Sequence, residues 1–409
     1  MKKILIIGAN FINKGAQSML FITMDEIYKR VPDAEIFFGT FEENIDPKKY
    51  RFKFVYYNPV SVNIALEPEK YKRISLNAKL KNTAKKILGQ GKYAVNVKRL
   101  SETRDLIPAI DLIIDISGFG LGDKWGVKGS ENYLNNIRLA RKYSKPIILM
   151  PQSFGPFDFP EDAKDKLISE IKDVLAYPVK IFAREEQGYR LLKDLGLNNV
   201  EKSYDLVLQN KGVDVKNIYV NPSSIAEYYL RTKQNVAVIP NVQCFRHGNN
   251  EKNISLYKTF ITNLISEGRN VYLVSHSSED AGICKQLKGL FAEDPQVVLF
   301  DEELTCLEYD FFVKQFDFIV CSRFHGIVHA YRNAIPCVIL GWSVKYIELA
   351  KALGQEKYCF DITETEEGLT GRIGKSISEL DKNHEKESRI IAQKLLDIQS
   401  NNCFDSIEI

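Results

Sequence analysis

Short runs of Ile, Val and Leu recur along the chain, each followed by a segment of helical period, and this rhythm constrains the fold more than any other feature. Runs such as LIIDI at 112–116 and FIVC at 318–321 are apolar with little alternation, the mark of strands covered on both faces in a parallel sheet. The pattern predicts strands at Lys3–Ala9, Glu35–Gly39, Lys53–Tyr57, Leu112–Ile116, Pro146–Met150 and Lys180–Ala183, then at Val236–Ile239, Val271–Val274, Val297–Phe300, Phe318–Cys321 and Cys337–Leu340. Helices are expected between them, among others at Ala16–Arg30, Glu131–Tyr143, Gly326–Arg332 and Ser343–Leu353. Residues 209–234 are polar and non-periodic, which predicts a linker. The expected architecture is α/β: two doubly wound Rossmann-like domains facing across a cleft, at 1–208 (with a basic insertion near 70–104) and 235–375. The tail 376–409 carries Ile377, Leu380, Ile391, Leu395 and Ile398 at helical spacing and predicts one or two closing helices.

Composition narrows the function classes. A length of 409 residues suits two domains, and 56 Lys and Arg against 53 Asp and Glu leave a net +3, too little to attract nucleic acid over the whole surface. No nucleic-acid partner is expected. The seven cysteines form no C-x-x-C pair, so neither a disulfide framework nor a zinc knuckle is predicted, and reduced thiols in a cytoplasmic protein are the expectation. The opening MKKILIIGAN is apolar for too few residues to be a signal-peptide core, and no stretch approaches the about 18 apolar residues of a membrane span.

Parallel sheets bind ligands at the carboxyl ends of their strands, where loops and helix N-termini gather, so those loops are the ones to inspect. After the first strand, Asn10 and Lys14 lie in a loop bracketed by glycines that opens a helix; its spacing is neither a dinucleotide fingerprint nor a P-loop. After the fourth come Ser117 and Gly118, with Asp115 and Asp123 as a carboxylate pair that reads either as a metal site or as capping residues. Gln152 and Ser153 follow the fifth strand. Arg184 follows the sixth, where an arginine is either a fork for a carboxylate or phosphate or one half of an ion pair with Glu185. The most informative loop is Ser322-Arg323-Phe324-His325-Gly326, in which a hydroxyl, a guanidinium and an imidazole meet at the mouth of a helix. His329 stands one turn further on, where it reads as a core histidine rather than a metal ligand.

The opening GANFINKGAQSML, the PQSFGPF and FAREE segments, and above all SRFHGIVHA followed by IPCVIL resemble the polysaccharide pyruvyl transferases, from residue 3 to about 353. The resemblance implies a GT-B-like fold and transfer from phosphoenolpyruvate to two hydroxyls of one sugar, giving a pyruvate ketal and phosphate. It implies that Arg184 and Arg323, helped by Ser322 and Gly326, bind the donor and that His325 is catalytic. Asn10, Lys14, Ser117, Gly118, Gln152 and Ser153 are weaker candidates for donor or acceptor contacts. The chemistry fits these residues in its own right. Two cationic forks and a helix N-terminus suit a carboxylate and a phosphate, and a group titrating near neutrality suits proton transfer in both directions. No metal and no cofactor is expected, since arginines can offset the phosphate charge and phosphoenolpyruvate is a co-substrate. The acceptor is expected to be a cell-surface polysaccharide unit or its lipid-linked oligosaccharide precursor. A glycosyltransferase using a nucleotide sugar is the alternative for the same architecture.

Between Lys70 and Ser101 there are ten Lys or Arg and no Asp or Glu. Leu76, Leu80, Ala84 and Ile87 share one helical face, with Lys79, Lys81, Lys85 and Lys86 on the others. Such a helix either lies on an anionic membrane surface, here the inner leaflet, or packs its apolar stripe on the N-terminal domain.

Overall fold

The Ile- and Val-rich runs pair as parallel strands in a computed structural model that describes residues 1–409 apart from 88–94, 223–227, 231, 248 and 364–367. The first sheet holds β1 (Lys3–Ile7), β2 (Glu35–Thr40), β3 (Lys53–Tyr56), β4 (Leu112–Asp115), β5 (Phe119–Leu121), β6 (Ile147–Phe154), β7 (Lys180–Ala183) and β8 (Val200–Lys202). Its order is β3-β2-β1-β4-β6-β7-β8, with β5 beside β6. The second sheet holds β9 (Asn235–Ile239), β10 (Asn270–Val274), β11 (Val297–Phe300), β12 (Phe318–Cys321), β13 (Cys337–Gly341) and β14 (Cys359–Asp361), ordered β11-β10-β9-β12-β13-β14. Every pairing is parallel. Strand order reverses at β1/β4 in one sheet and at β9/β12 in the other. Each reversal opens a crevice at the carboxyl ends of those strands, and this is where a doubly wound sheet binds ligands.

The structure departs from the expected strands mainly at edges. β5, β8 and β14, three residues each, were not predicted, and β6 runs on past Met150 to Phe154. That extension pairs Ser153 with Phe119 and Gln152 with Ala183 across register shifts, so Pro151 interrupts the ladder without ending the strand. A single 31-residue helix, Leu369–Gln399, closes the chain and begins before the expected residue 376.

One buried apolar cluster crosses between the sheets. It runs from Ile4 and Ile6 of β1 through Phe21, Met24 and Ile27 of the helix Lys14–Arg30 to Ala237, Ile239, Cys321 and Ile339 of the second sheet. The closing helix joins it with Ile391, Leu395 and Ile398, while its first half, Leu369 to Leu380, packs in the cluster of the second domain. Beyond the helix, the Cys403 N–H donates to Gln209 Oε1 (2.8 Å) and Arg30 pairs with Asp405 (2.5 Å), so the chain ends on the first domain.

The basic segment forms the helix Tyr71–Ile87. Residues 88–94 and the side chains of 84–87 lie outside the described residues. Ala78 is buried against Tyr56, Ile64 and Leu100, whereas Leu76 and Leu80 on the opposite side are 57% and 62% exposed. These two leucines are therefore not packed on the N-terminal domain. Among the described residues no helix is long and apolar enough to cross a membrane.

Candidate active site

Helix Phe324–Arg332 begins directly after β12, with Arg323 as its N-cap residue. This puts His325 in the first turn, pointing at the first domain. Its ring packs so closely on the N-terminus of helix Lys14–Arg30 that a Cβ on Gly15 would stand 2.0 Å from His325 Cγ, and only glycine leaves room. Asn13 caps that helix by accepting from the Gly15 N–H (2.9 Å), and Asn10 fixes the loop by accepting from the Asn13 N–H (2.9 Å). On its other side His325 Nε2 lies 3.6 Å from Asp205 Oδ2, beyond hydrogen-bond distance. Burial drives the imidazole below its ordinary value. The Asp205 carboxylate opposes this, while Arg184 and His329 add to it, so the ring rests neutral.

Asp205 is ionised. Burial disfavours its charge, yet the Arg184 guanidinium and the Val207 N–H hold the carboxyl far below its usual range. Arg184 binds it through Nη1 (2.7 Å), meets Glu185 through Nε (3.0 Å) and donates from Nη2 to Ser153 Oγ (2.7 Å), which itself bonds Glu185 Oε1 (2.7 Å). The guanidinium also lies over the Phe324 ring, 4.4 Å from its centroid, and so touches both domains. The ion pair with Glu185, one of the two readings of Arg184 from sequence, is present, and Asp205 is a second partner that sequence spacing did not reveal. Arg323 binds Asp280 through Nε (2.7 Å) and Nη2 (2.6 Å), with Glu279 at 3.4 Å, leaving Nη1 uncommitted.

Other expected residues turn inward. The Ser322 hydroxyl is wholly buried and bonded to Tyr257 (2.8 Å), and its carbonyl accepts from Tyr346 (3.0 Å) and Asn241 (3.2 Å), so it is part of the second domain's core rather than an offered ligand. Gln152 is likewise internal, its Oε1 accepting from Tyr133 (2.9 Å). The glycine loop after β4 is tied down by hydrogen bonds: Ser117 N–H donates to Asp115 Oδ1 (2.8 Å), and Gly118 carbonyl accepts from Ser153 N–H (2.7 Å). Burial pushes the Asp115 carboxyl up to about 6. A Cβ on Gly326 would come 2.8 Å from Cys321 Sγ, so this glycine serves close packing of helix on strand. His329 is a core histidine, bonded to Ser18 Oγ (3.0 Å) and Asp310 Oδ1 (3.1 Å). No group of three or more metal-ligating side chains occurs among the described residues.

Two lysines that sequence reasoning passed over complete the site. Lys345, in the first turn of helix Val344–Ala352, lies beside the rings of Phe324 (5.3 Å), Phe119 (5.5 Å), Trp342 (5.5 Å) and Tyr346 (5.6 Å). Burial and then the charge of Arg184 bring its amine down to about 7. Lys124, from the first domain, sits 4.2 Å from the Trp342 ring, and burial lowers its amine too. Neither has an ion-pair partner among the described residues. By contrast the surface hollow beside the N-terminal ends of β1–β3, lined by Met1, Tyr28, Arg51 and Tyr219, gathers no comparable set.

These features define a GT-B-like α/β protein whose polar site lies on the seam between two Rossmann-like domains. The family model for polysaccharide pyruvyl transferases matches residues 13–344, and the chain belongs to that family. The S. aureus MnaA–UDP co-structure is similar in fold at 13% identity and a TM-score of 0.56, covering 96% of this chain and 91% of that one. The UDP-GlcNAc 2-epimerase from Neisseria meningitidis bound to UDP-GlcNAc is similar at 12% and 0.53, covering 99% and 98%. The UDP-GlcNAc 2-epimerase from Methanocaldococcus jannaschii is similar at 11% and 0.52, covering 96% and 99%. No protein among the curated sequences matches the chain.

Proposed function

We propose that this transferase moves the enolpyruvyl unit of phosphoenolpyruvate onto two hydroxyls of one sugar, in a cell-surface polysaccharide unit or its lipid-linked precursor, forming a ketal and releasing phosphate. The observation that carries this reading is the half-buried imidazole of His325, set between the N-terminus of helix Lys14–Arg30 and the Asp205 carboxylate, with Lys345 over the ring of the adjoining Phe324. Arg323 Nη1 and the protonated form of Lys345 are the cations left to receive the donor's anionic groups. Arg184, fully engaged, holds Asp205 and the Phe324–His325 turn in place.

Proton bookkeeping follows. Asp205 stands at the Nε2 side of His325, so Nδ1 is the atom for transfer. It takes the proton of the first sugar hydroxyl as that oxygen bonds to C2 of the donor, and returns it to the methylene carbon, which becomes the methyl group. The second hydroxyl then bonds to C2 as the C2–O bond to phosphate breaks, and its proton leaves with the phosphate. Incubating the protein with phosphoenolpyruvate and lipid-linked oligosaccharides should release phosphate and add the mass of a ketal. Transfer from a nucleotide sugar with phosphoenolpyruvate inert would replace this reading by the glycosyltransferase alternative.

The exposed Leu76 and Leu80, flanked by Lys72, Arg73, Lys79 and Lys81 with no acidic neighbour in the segment, support seating on an anionic membrane. Each basic residue near such a surface contributes about 1 kcal/mol. Changing Lys72, Arg73, Lys79 and Lys81 to Gln should abolish low-salt co-sedimentation with phosphatidylserine vesicles. Unchanged co-sedimentation would remove the helix from this role.

A further inference from the structure

His276, two residues past β10, is 1% exposed, yet neither of its ring nitrogens has a hydrogen-bond partner. Burying an imidazole this way is unfavourable unless something else engages it. No neighbour bonds it. The Tyr309 ring meets it edge-on at 5.1 Å with a hydroxyl that is itself buried and unpartnered. His329, at 6.1 Å, is committed to Ser18 and Asp310. Asp280 is committed to Arg323 and to the N–H groups of Val242 (3.0 Å) and Ser277 (3.2 Å).

The groups around this imidazole offer hydrogen-bond donors. Lys14, first residue of the helix Lys14–Arg30, holds its ammonium 5.9 Å from the centroid of the same Tyr309 ring, with no ion-pair partner among the described residues. Helix Phe324–Arg332 starts beside the imidazole, since a Cβ on Gly326 would lie 3.6 Å from His276 Cδ2, and no side chain caps that helix. A backbone bridge between Asn13 and Ser277 fixes the two loops together. Two helix N-termini, an ammonium, an imidazole N–H and a phenol O–H, the last two without a partner in the fold, can all donate to an anion rich in oxygens.

We propose that a site bounded by His276, Lys14 and these two helix N-termini receives the phosphoryl group of the donor and holds the phosphate released from it, with a His276 N–H and the Lys14 ammonium donating to its oxygens. This rests on the phosphoenolpyruvate reading and adds an orientation to it: phosphoryl end at His276, carboxylate end at Lys345 and Arg323. The C2–O electron pair leaves with the phosphate into this site.

The test is calorimetric titration with inorganic phosphate, phosphoenolpyruvate and pyruvate of the wild type, His276→Phe and Lys14→Met. Each variant should bind phosphate and phosphoenolpyruvate about tenfold or more weakly, the worth of one hydrogen bond to a charged group, and pyruvate as before. His276→Phe should fold at least as stably as wild type, because it removes two unpartnered nitrogens; if it fails to fold, Lys14→Met decides. Wild-type phosphate affinity in both variants, with phosphoenolpyruvate bound normally by the wild type, overturns this assignment alone. A wild type that binds neither phosphate nor phosphoenolpyruvate overturns the donor reading and this site with it.

Discussion

After β7 the chain places Arg184; after β12 it places Arg323. Both arginines end a strand buried by its neighbours, and both need carboxylates to offset the cost of burying charge. The loop after β7 meets that need at every nitrogen: Glu185, Asp205 and Ser153 engage Nε, Nη1 and Nη2, and the side chain is 5% exposed. The loop after β12 meets it in part, since Asp280 takes Nε and Nη2, Nη1 is left, and the side chain is 14% exposed. A guanidinium of the first kind is scaffold; one of the second kind is a scaffold with a hand free. His325 belongs to the second loop and leans on the carboxylate that the first loop holds.

The largest effect is expected at His325. His325→Ala should lose about 10² to 10⁴ in kcat, as for a positioned proton-transfer group, with phosphoenolpyruvate still bound. Because burial lowers this imidazole, the acidic limb of the wild-type kcat profile should fall below the ordinary imidazole value of about 6.5, the base form being lost only under that pH. Near-wild-type turnover in the variant would dissolve the contrast between the loops. Arg184→Ala should cost about 3 to 5 kcal/mol of stability, since two buried carboxylates lose their cation, and this is read from the denaturation midpoint. A midpoint shift no larger than that of Arg323→Ala would mean that the two arginines do the same work.

Arg323→Ala should weaken phosphoenolpyruvate binding by about 10- to 100-fold. Calorimetry checks it, and unchanged affinity would free Nη1 of its role. The smallest effect is a pH trend. Lys345 binds an anion when protonated, and its amine lies at about 7, so phosphoenolpyruvate affinity should fall as pH rises through that value. Lys345→Arg stays charged and should flatten the trend; a wild-type profile already flat between pH 6 and 8.5 would separate Lys345 from the donor.

Much of this was legible because parallel strands are written locally. FIVC and KIFA announce strand and strand end in four residues each, and the Arg323-Phe324-His325 turn follows from them. Partners across the fold are written nowhere in that sense. Asp205 and Asp280 look like ordinary loop and helix-cap residues until the loops close on Arg184 and Arg323. Lys345 sits in SVKYIELA, an unremarkable helix start, and is partly covered by Phe119 and Phe324 from two different domains. The short strands β5, β8 and β14 carry too few residues for any period to register.

The closing helix Leu369–Gln399 gives its first half to the core of the second domain and its last turns to the cluster anchored in the first. Topology counts two domains, but one shared cluster couples them. Each half has a cluster of its own, yet each loses part of the shared one when the other melts, so the two unfolding transitions should overlap. For the reaction, this means that the seam around His325 cannot be loosened by fraying one half alone.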